Sequence, residues 1–283
     1  MTSGLVALAL LAAGHEHVAT PYLIRGNPQG PVHCVARLAA ELAQVRPGQP
    51  FYAAIRLMPD AGWHTYWQNP GDSGMATSVQ WTLPKGWKAG PIEWPVPEVL
   101  TGPSGTNYCY PKEVLLPELV TPPADASLGQ QITLKAKVGW LVCNEVCVAG
   151  NADLTLDLTI GVNNVANHDS APRLRAVVAA LPKPPKTPLR AWRKASSVIL
   201  DLGSNAPSSG TAFFSSDAAI DPVQPVIVAS KGGDHELRLK ISPYAPPRLN
   251  RLRGILVAPR GRTLSNGSRA ILVDIPINSG GSR

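Results

Sequence analysis

Charge is scarce in this sequence. Asp, Glu, Lys and Arg make up 16% of its 283 residues, while hydrophobic residues make up 44%. That balance excludes a disordered chain and leaves enough apolar material for one large core or two ordinary ones. Beyond the N-terminus, no run is apolar over the roughly 20 residues that a bilayer-spanning helix needs. No Lys/Arg run interleaved with aromatics occurs, so the sequence predicts no nucleic-acid partner. The six histidines are scattered without a His-x-x-x-His pair, and nucleophile-triad and glycine-rich phosphate-loop signatures are absent. These absences point away from a metal centre, a nucleotide cofactor and hydrolase chemistry. The sequence implies no cofactor.

The 29 prolines and 25 glycines are abundant instead. Helix interiors tolerate neither, so they favour short strands joined by turns. In the first half, residues 51–58, 78–83, 131–142 and 153–160 alternate apolar with polar. Residues 113–121 form an apolar run broken by Pro117, as an edge strand would be. Six of the seven tryptophans lie between Trp63 and Trp140. The second half offers weaker strands at 197–202, 211–215, 225–229, 236–241, 253–258 and 270–275, with turn signals at Lys231–Asp234 and Ser265–Ser268. Between the halves, Ser170 and Pro172 open a short helix, and the proline-rich run 181–188 favours an extended connector. The expected architecture is all-β: two tandem immunoglobulin-like β-sandwich domains joined by a short helix and a Pro-rich linker. Its divisions are a signal-peptide remnant over 1–20, a first domain over 28–163, the linker over 164–190 and a second domain over 191–283. Up to Asn163 the chain has 9 Lys/Arg against 12 Asp/Glu, and from Asn164 it has 17 against 7. The basic half reads as a solvated face.

All four cysteines, Cys34, Cys109, Cys143 and Cys147, lie in the first half. In a continuous strand, Cys143 and Cys147 would stand about 13 Å apart, whereas a disulfide needs Cα atoms within about 7 Å. Pairing therefore requires Asn144–Val146 to form the tip of a tight hairpin. A ring this small restricts the unfolded chain little, and an exposed short-loop disulfide is the exchangeable kind. A local staple, two reduced buried cysteines and a two-thiolate Cu(I) site are the alternatives that spacing leaves open. Cys34 and Cys109 are isolated candidates for a second disulfide or for single buried thiols. His64 reads as a packed strand residue.

The segments Asp60–Gly74, Trp94–Glu98, Val114–Pro117 and Gly139–Cys147 together resemble the N-terminal periplasmic domain of the DsbD thiol–disulfide interchange family, in its ScsB (suppressor of copper sensitivity) branch. The resemblance implies a reversible redox pair at Cys143 and Cys147 and a protein-disulfide reductase or interchange activity in the periplasm. It implies two kinds of partner: a periplasmic thioredoxin-fold oxidoreductase (ScsC-like or DsbC-like), and a membrane-embedded electron donor in cis or in trans, with inner-membrane attachment if the chain is a truncated product. It places an aromatic cap near 97–110, with Tyr108 and Tyr110 as the shielding residues. Cys109 stands where the family pattern would have glycine, and Cys34 is extra. The rival readings are a non-catalytic envelope binding module with structural disulfides and a Cu(I)-binding copper-tolerance protein.

Overall fold

The computed structural model describes residues 22–23, 33–102, 105–203, 210–223, 226–229 and 235–278. The expected signal remnant over 1–20 and the turn Lys231–Asp234 lie outside these residues. The first half forms, in order, β1 (Tyr22–Leu23), β2 (Cys34–Ala40), β3 (Leu42–Val45), β4 (Phe51–Pro59), β5 (Thr65–Gly71), β6 (Ser78–Thr82), β7 (Lys88–Ala89), β8 (Glu98–Gly102), β9 (Gly105–Tyr110), β10 (Val114–Thr121), β11 (Gln131–Cys143), β12 (Cys147–Ile160) and β13 (Val165–Ala166). Helix α1 (Ala171–Ala180) follows. Then come β14 (Arg190–Lys194), β15 (Ser197–Gly203), β16 (Ala212–Ser215), β17 (Val226–Ala229), β18 (His235–Lys240), β19 (Arg251–Val257) and β20 (Ala270–Asn278). The protein is all-β, as its composition predicts.

The first half builds three sheets, ordered β13-β3-β12-β11-β6 with β1 on β12, β2-β4-β10-β7, and β5-β9-β8. The β11–β12 hairpin is the longest element, in unbroken register from Gln131 opposite Thr159 to Cys143 opposite Cys147. Its alternation turns Leu134, Val138, Trp140, Leu154 and Leu158 inward. There they meet Leu38, Ile55, Leu57 and Leu116 of the facing sheet in one core. Each fully buried aliphatic side chain of this kind contributes about 2 kcal/mol. A disulfide closing so short a loop contributes roughly 2 kcal/mol in the chain-entropy view. Packing along the strands, far more than the sulfur bond, therefore holds the hairpin. Gly150 stands opposite Trp140 because a Cβ there would overlap the indole.

Pro117 does not mark an edge strand, since β10 lies between β4 and β7, but it sits where the second neighbour does not yet pair. It pairs with Ala54 of β4 on one side, while β7 meets β10 only at Val120 and Thr121 on the other. The helix also forms where expected, but Ser170 does not cap it. Its hydroxyl donates to Ala40 O, and the Asn167 side chain accepts the Asp169 and Ser170 amides. Leu174 packs on Ala39, Ala54 and Leu115, and Glu113 binds both Arg56 (3.0 Å) and Arg173 (2.6 Å), clamping the helix to the sheet. The proline-rich run is less free than a spacer. Lys183 pairs with Ile271, and Leu181 and Leu189 are buried.

The second half forms one sheet path, β16-β19-β20-β14-β15-β18-β17, around a core that includes Leu200, Phe213, Leu237, Leu256 and Val273. Its other face meets the first half. Phe214, Ile255, Val257 and Ala270 join the first core, and the Phe214 ring packs edge-on against Trp67 and Tyr108 at 6.3 and 5.0 Å. Asn69 donates to Ser215 O (2.9 Å) and Asp217 O (2.8 Å).

One carboxyl lies between the two larger sheets of the first half. Glu118 of β10 is 1% exposed, and its Oε2 accepts from Trp81 Nε1 of β6 at 2.6 Å. Its Oε1 has no partner among the described residues. Burial pushes its pKa up to about 7, against the opposing pull of the Trp81 hydrogen bond. The folded protein therefore holds this proton more tightly than the unfolded chain does. The stabilisation is complete below the ordinary carboxyl value of 4.5 and is lost as pH rises through about 7, on the order of 3 kcal/mol in all. Glu118→Gln keeps the acceptor and removes the titration. Denaturation midpoints between pH 4.5 and 8 should show the variant gaining on the parent as pH rises. Parallel curves would refute this account.

Candidate functional site

The site forms where the β11–β12 hairpin ends. Cys143 and Cys147 are the last register pair and are joined by a disulfide, with S–S 2.07 Å and Cα–Cα 4.2 Å. The three-residue tip between them closes with Asn144 N donating to Val146 O at 3.1 Å. The two cysteines differ in access. Cys143 is 2% exposed, whereas Cys147 is exposed beside Val146, itself 63% exposed. The expected hairpin is therefore present, and one of its two cysteines is exposed.

A second strand end covers the buried side. His64, just ahead of β5, pairs with Cys143 in an antiparallel bridge. Each backbone N–H donates to the other's carbonyl at 2.9 Å. Side chains of directly opposed residues leave a sheet on the same face, and Tyr66 follows two residues on. The Tyr66 hydroxyl lies 3.9 Å from Cys147 Sγ. A disulfide sulfur carries no proton, so the hydroxyl donates. Tyr66 remains protonated because burial raises its pKa, with the neighbouring Cys109 adding to the rise and a Ser73 hydrogen bond opposing it. The His64 ring meets the Tyr66 ring edge-on at 5.1 Å. Burial lowers the imidazole's pKa below its usual 6.5, so it is neutral at pH 7.

The loop after β5 holds the Tyr66 ring in place. Gly74 has φ +107°, and a Cβ there would overlap the ring. The loop is tied to β9. Asp72 N donates to Thr106 O, Thr106 N donates to Asp72 Oδ2, and Ser73 N and Oγ both donate to Asn107 Oδ1. On the other side, the turn after β4 places Trp63 flat against His33 (3.7 Å), whose Nδ1 lies 3.1 Å from Asp60 Oδ2.

Two expectations need correction. Tyr108 and Tyr110 do not present their hydroxyls to the sulfurs. Both are buried, and they donate to Pro222 O (3.3 Å) and Pro95 O (2.7 Å). They alternate with Cys109 along β9 and so face the core, on the side away from the disulfide. The ring beside the disulfide is that of Tyr66. Nor do Cys34 and Cys109 form a second bridge: both are free and buried. Cys34 pairs in register with Pro59, while Cys109 pairs with Tyr66 and Glu98. Burial pushes each thiol's pKa up to about 12, which leaves both protonated and weakly nucleophilic. Sequence reasoning missed Tyr66 and Gly74 as site residues and read His64 as packing. All three lie within the 60–74 segment that carried the family resemblance. Only the bridge to Cys143 brings that segment to the sulfurs.

The fold and site together define a class: a β-sandwich with a cross-strand disulfide at an exposed hairpin tip. Residues 35–159 match the family described as "Thiol:disulfide interchange protein DsbD, N-terminal", and over that segment the chain is similar to it. Among solved structures, the N-terminal periplasmic domain of ScsB from Proteus mirabilis superposes with a TM-score of 0.63 at 18% identity. The match covers 94% of this chain and 100% of that one, a likeness of fold. The sporulation control protein Spo0M of Bacillus subtilis gives a TM-score of only 0.23 at 8% identity over 87% of this chain and 91% of that one, too low to bear on the fold. No curated protein matches the sequence significantly.

The difference in exposure has a chemical consequence. After reduction, a small alkylating reagent at pH 8 should label Cys147 well before Cys143, and Cys34 and Cys109 only on unfolding. Peptide mass mapping over time checks the order. Early labelling of Cys143, or equal rates for all four cysteines, would contradict the site as described.

Proposed function

We propose that this chain is a periplasmic thiol–disulfide exchange module of the ScsB branch that reduces a thioredoxin-fold partner through Cys143 and Cys147. The observation that carries the reading is the asymmetry of the pair: one sulfur at an exposed tip, its mate sealed beneath a neighbouring strand. Cys147 then attacks the partner's disulfide and forms a mixed disulfide. Cys143 displaces the partner by closing the intramolecular bond, so two electrons leave with the partner. A membrane-embedded donor, in cis or in trans, restores the dithiol. In this reading residues 28–163 form the redox domain, and 164–190 link it to a second β-sandwich over 191–283.

The surroundings support exchange without an unusually acidic thiol. The tip Asn144-Glu145-Val146 contains no Lys or Arg, and Glu145 would raise a nearby thiol's pKa. Rate must then come from docking and from the Tyr66 hydroxyl, which can hydrogen-bond the Cys147 sulfur while its bonds change. The family match of residues 35–159 favours this reading over a purely structural bridge.

Trapping tests it. In Cys143→Ser, the mixed disulfide at Cys147 has no resolving thiol. Incubation with periplasmic extract should accumulate a reductant-sensitive adduct containing a thioredoxin-fold protein, and Cys147→Ser should accumulate far less. If neither variant captures such a protein, the exchange reading fails.

A further inference from the structure

The exchange described above leaves one buried titratable group at the site without a role. His64 is 6% exposed, and its Nε2 has no hydrogen-bond partner among the described residues. An unpaired polar atom in a protein interior costs about 1–3 kcal/mol, so its persistence calls for a reason. The reciprocal backbone pairing of His64 with Cys143 puts their side chains on one face, with Cβ atoms about 5 Å apart. Tyr66 marks the same face, meeting His64 on one side and Cys147 Sγ on the other. In the disulfide state the Cys143 sulfur is tied to Cys147 and has no proton to offer. Reduction gives it an S–H and frees it to rotate.

We propose that His64 is the acid–base partner of Cys143, its Nε2 taking the thiol proton as Cys143 resolves the mixed disulfide. The proposal rests on the exchange reading, with Cys147 as the attacking residue. The Cys143 S–H bond breaks, and its proton passes to His64 Nε2. The sulfur's electron pair attacks Cys147 Sγ and forms the Cys143–Cys147 bond. The bond between Cys147 and the partner's sulfur breaks, and that sulfur leaves as a thiolate with the electron pair. The imidazolium then returns its proton to the departing thiolate or to water. The module ends oxidised and the partner reduced, with no outside oxidant.

The need for a base follows from burial. Cys34 and Cys109 show what this interior does to a thiol, pushing it up to about 12. Cys143 is covered as deeply, at 2% exposed, so its thiol needs an acceptor for the proton it must lose to attack. His64 can accept because burial keeps it neutral. The titratable groups around it are Tyr66 on its own strand, Cys143 and Cys147 on the hairpin, and Cys109 on β9 opposite Tyr66. Glu145 stands in solvent at the tip, and Asp60 is engaged by His33. None gives the imidazole a counter-charge while the disulfide is closed.

Ellman's reagent serves as the probe, with the full reduced chain. Attack by Cys147 releases a first thionitrobenzoate and resolution by Cys143 releases a second, so stopped-flow absorbance separates the two steps. His64→Gln and His64→Phe should slow the second release on the order of 100-fold. In the parent, its rate should bend with pH below 6.5, and the variants should lose the bend. A readout that needs no variant is the His64 imidazole titration by NMR in both redox states. The pKa should be lower in the reduced protein, where the Cys143 S–H can donate to the neutral imidazole and so favours it over the imidazolium. An unchanged second phase and pH profile in both variants, or identical His64 titrations in the two states, would overturn the role of His64 and leave the exchange reading standing. Absence of the first release from the parent would overturn both.

Discussion

The redox end of this molecule depends on one backbone pairing, that of His64 with Cys143. The β11–β12 hairpin brings the two cysteines together by register, but the hairpin alone would leave both sulfurs in water. Two hydrogen bonds from the start of β5 cover Cys143 and leave Cys147 outside. The same bridge sets the spacing that brings the Tyr66 hydroxyl to Cys147 Sγ two residues later. Access, proton supply and shielding at the disulfide thus follow from where one strand ends against another.

That strand is held from behind by the second half of the chain. Gln68 and Asn69 hydrogen-bond to residues 215–217, and Trp67 packs on Phe214. Tyr108, on the next strand, reaches Pro222 O. Gln68, Asn69 and Tyr108 thus find their partners across the interface, whereas the buried Trp67 Nε1 has none among the described residues. Tyr108, one of the two tyrosines that the family resemblance suggested as a shield, is used here to join the two halves.

The two remaining cysteines show how strongly burial governs thiol chemistry in this fold. Cys109 sits opposite Tyr66, close to the redox pair, and Cys34 begins β2 beside Pro59. Both are chemically quiet, because removal from water disfavours the thiolate that any exchange requires. Cys147 differs from them in exposure more than in charged neighbours.

Much of the fold was legible in the sequence. The alternation of residues 131–142 and 153–160 gave the long hairpin, because a pleated strand half-buried against a core must place apolar side chains at every second position. Pro117 marked the strand with an incomplete neighbour, and the spacing of Cys143 and Cys147 required the turn between them. Several strands were not legible. The runs 65–71 and 105–110 are buried on both faces or interrupted by bulges, which erases the period-two signal. The partners of the sulfurs were equally hidden. His64 and Tyr66 lie nearly 80 positions before the cysteines, and nothing local in either segment records that they meet. The sequence by itself determined that the two cysteines could close on each other, since that depends on chain geometry over five residues. Only the tertiary structure decided which sulfur faces water and which faces a histidine, because exposure is a property of what packs above a residue rather than of its neighbours in the chain.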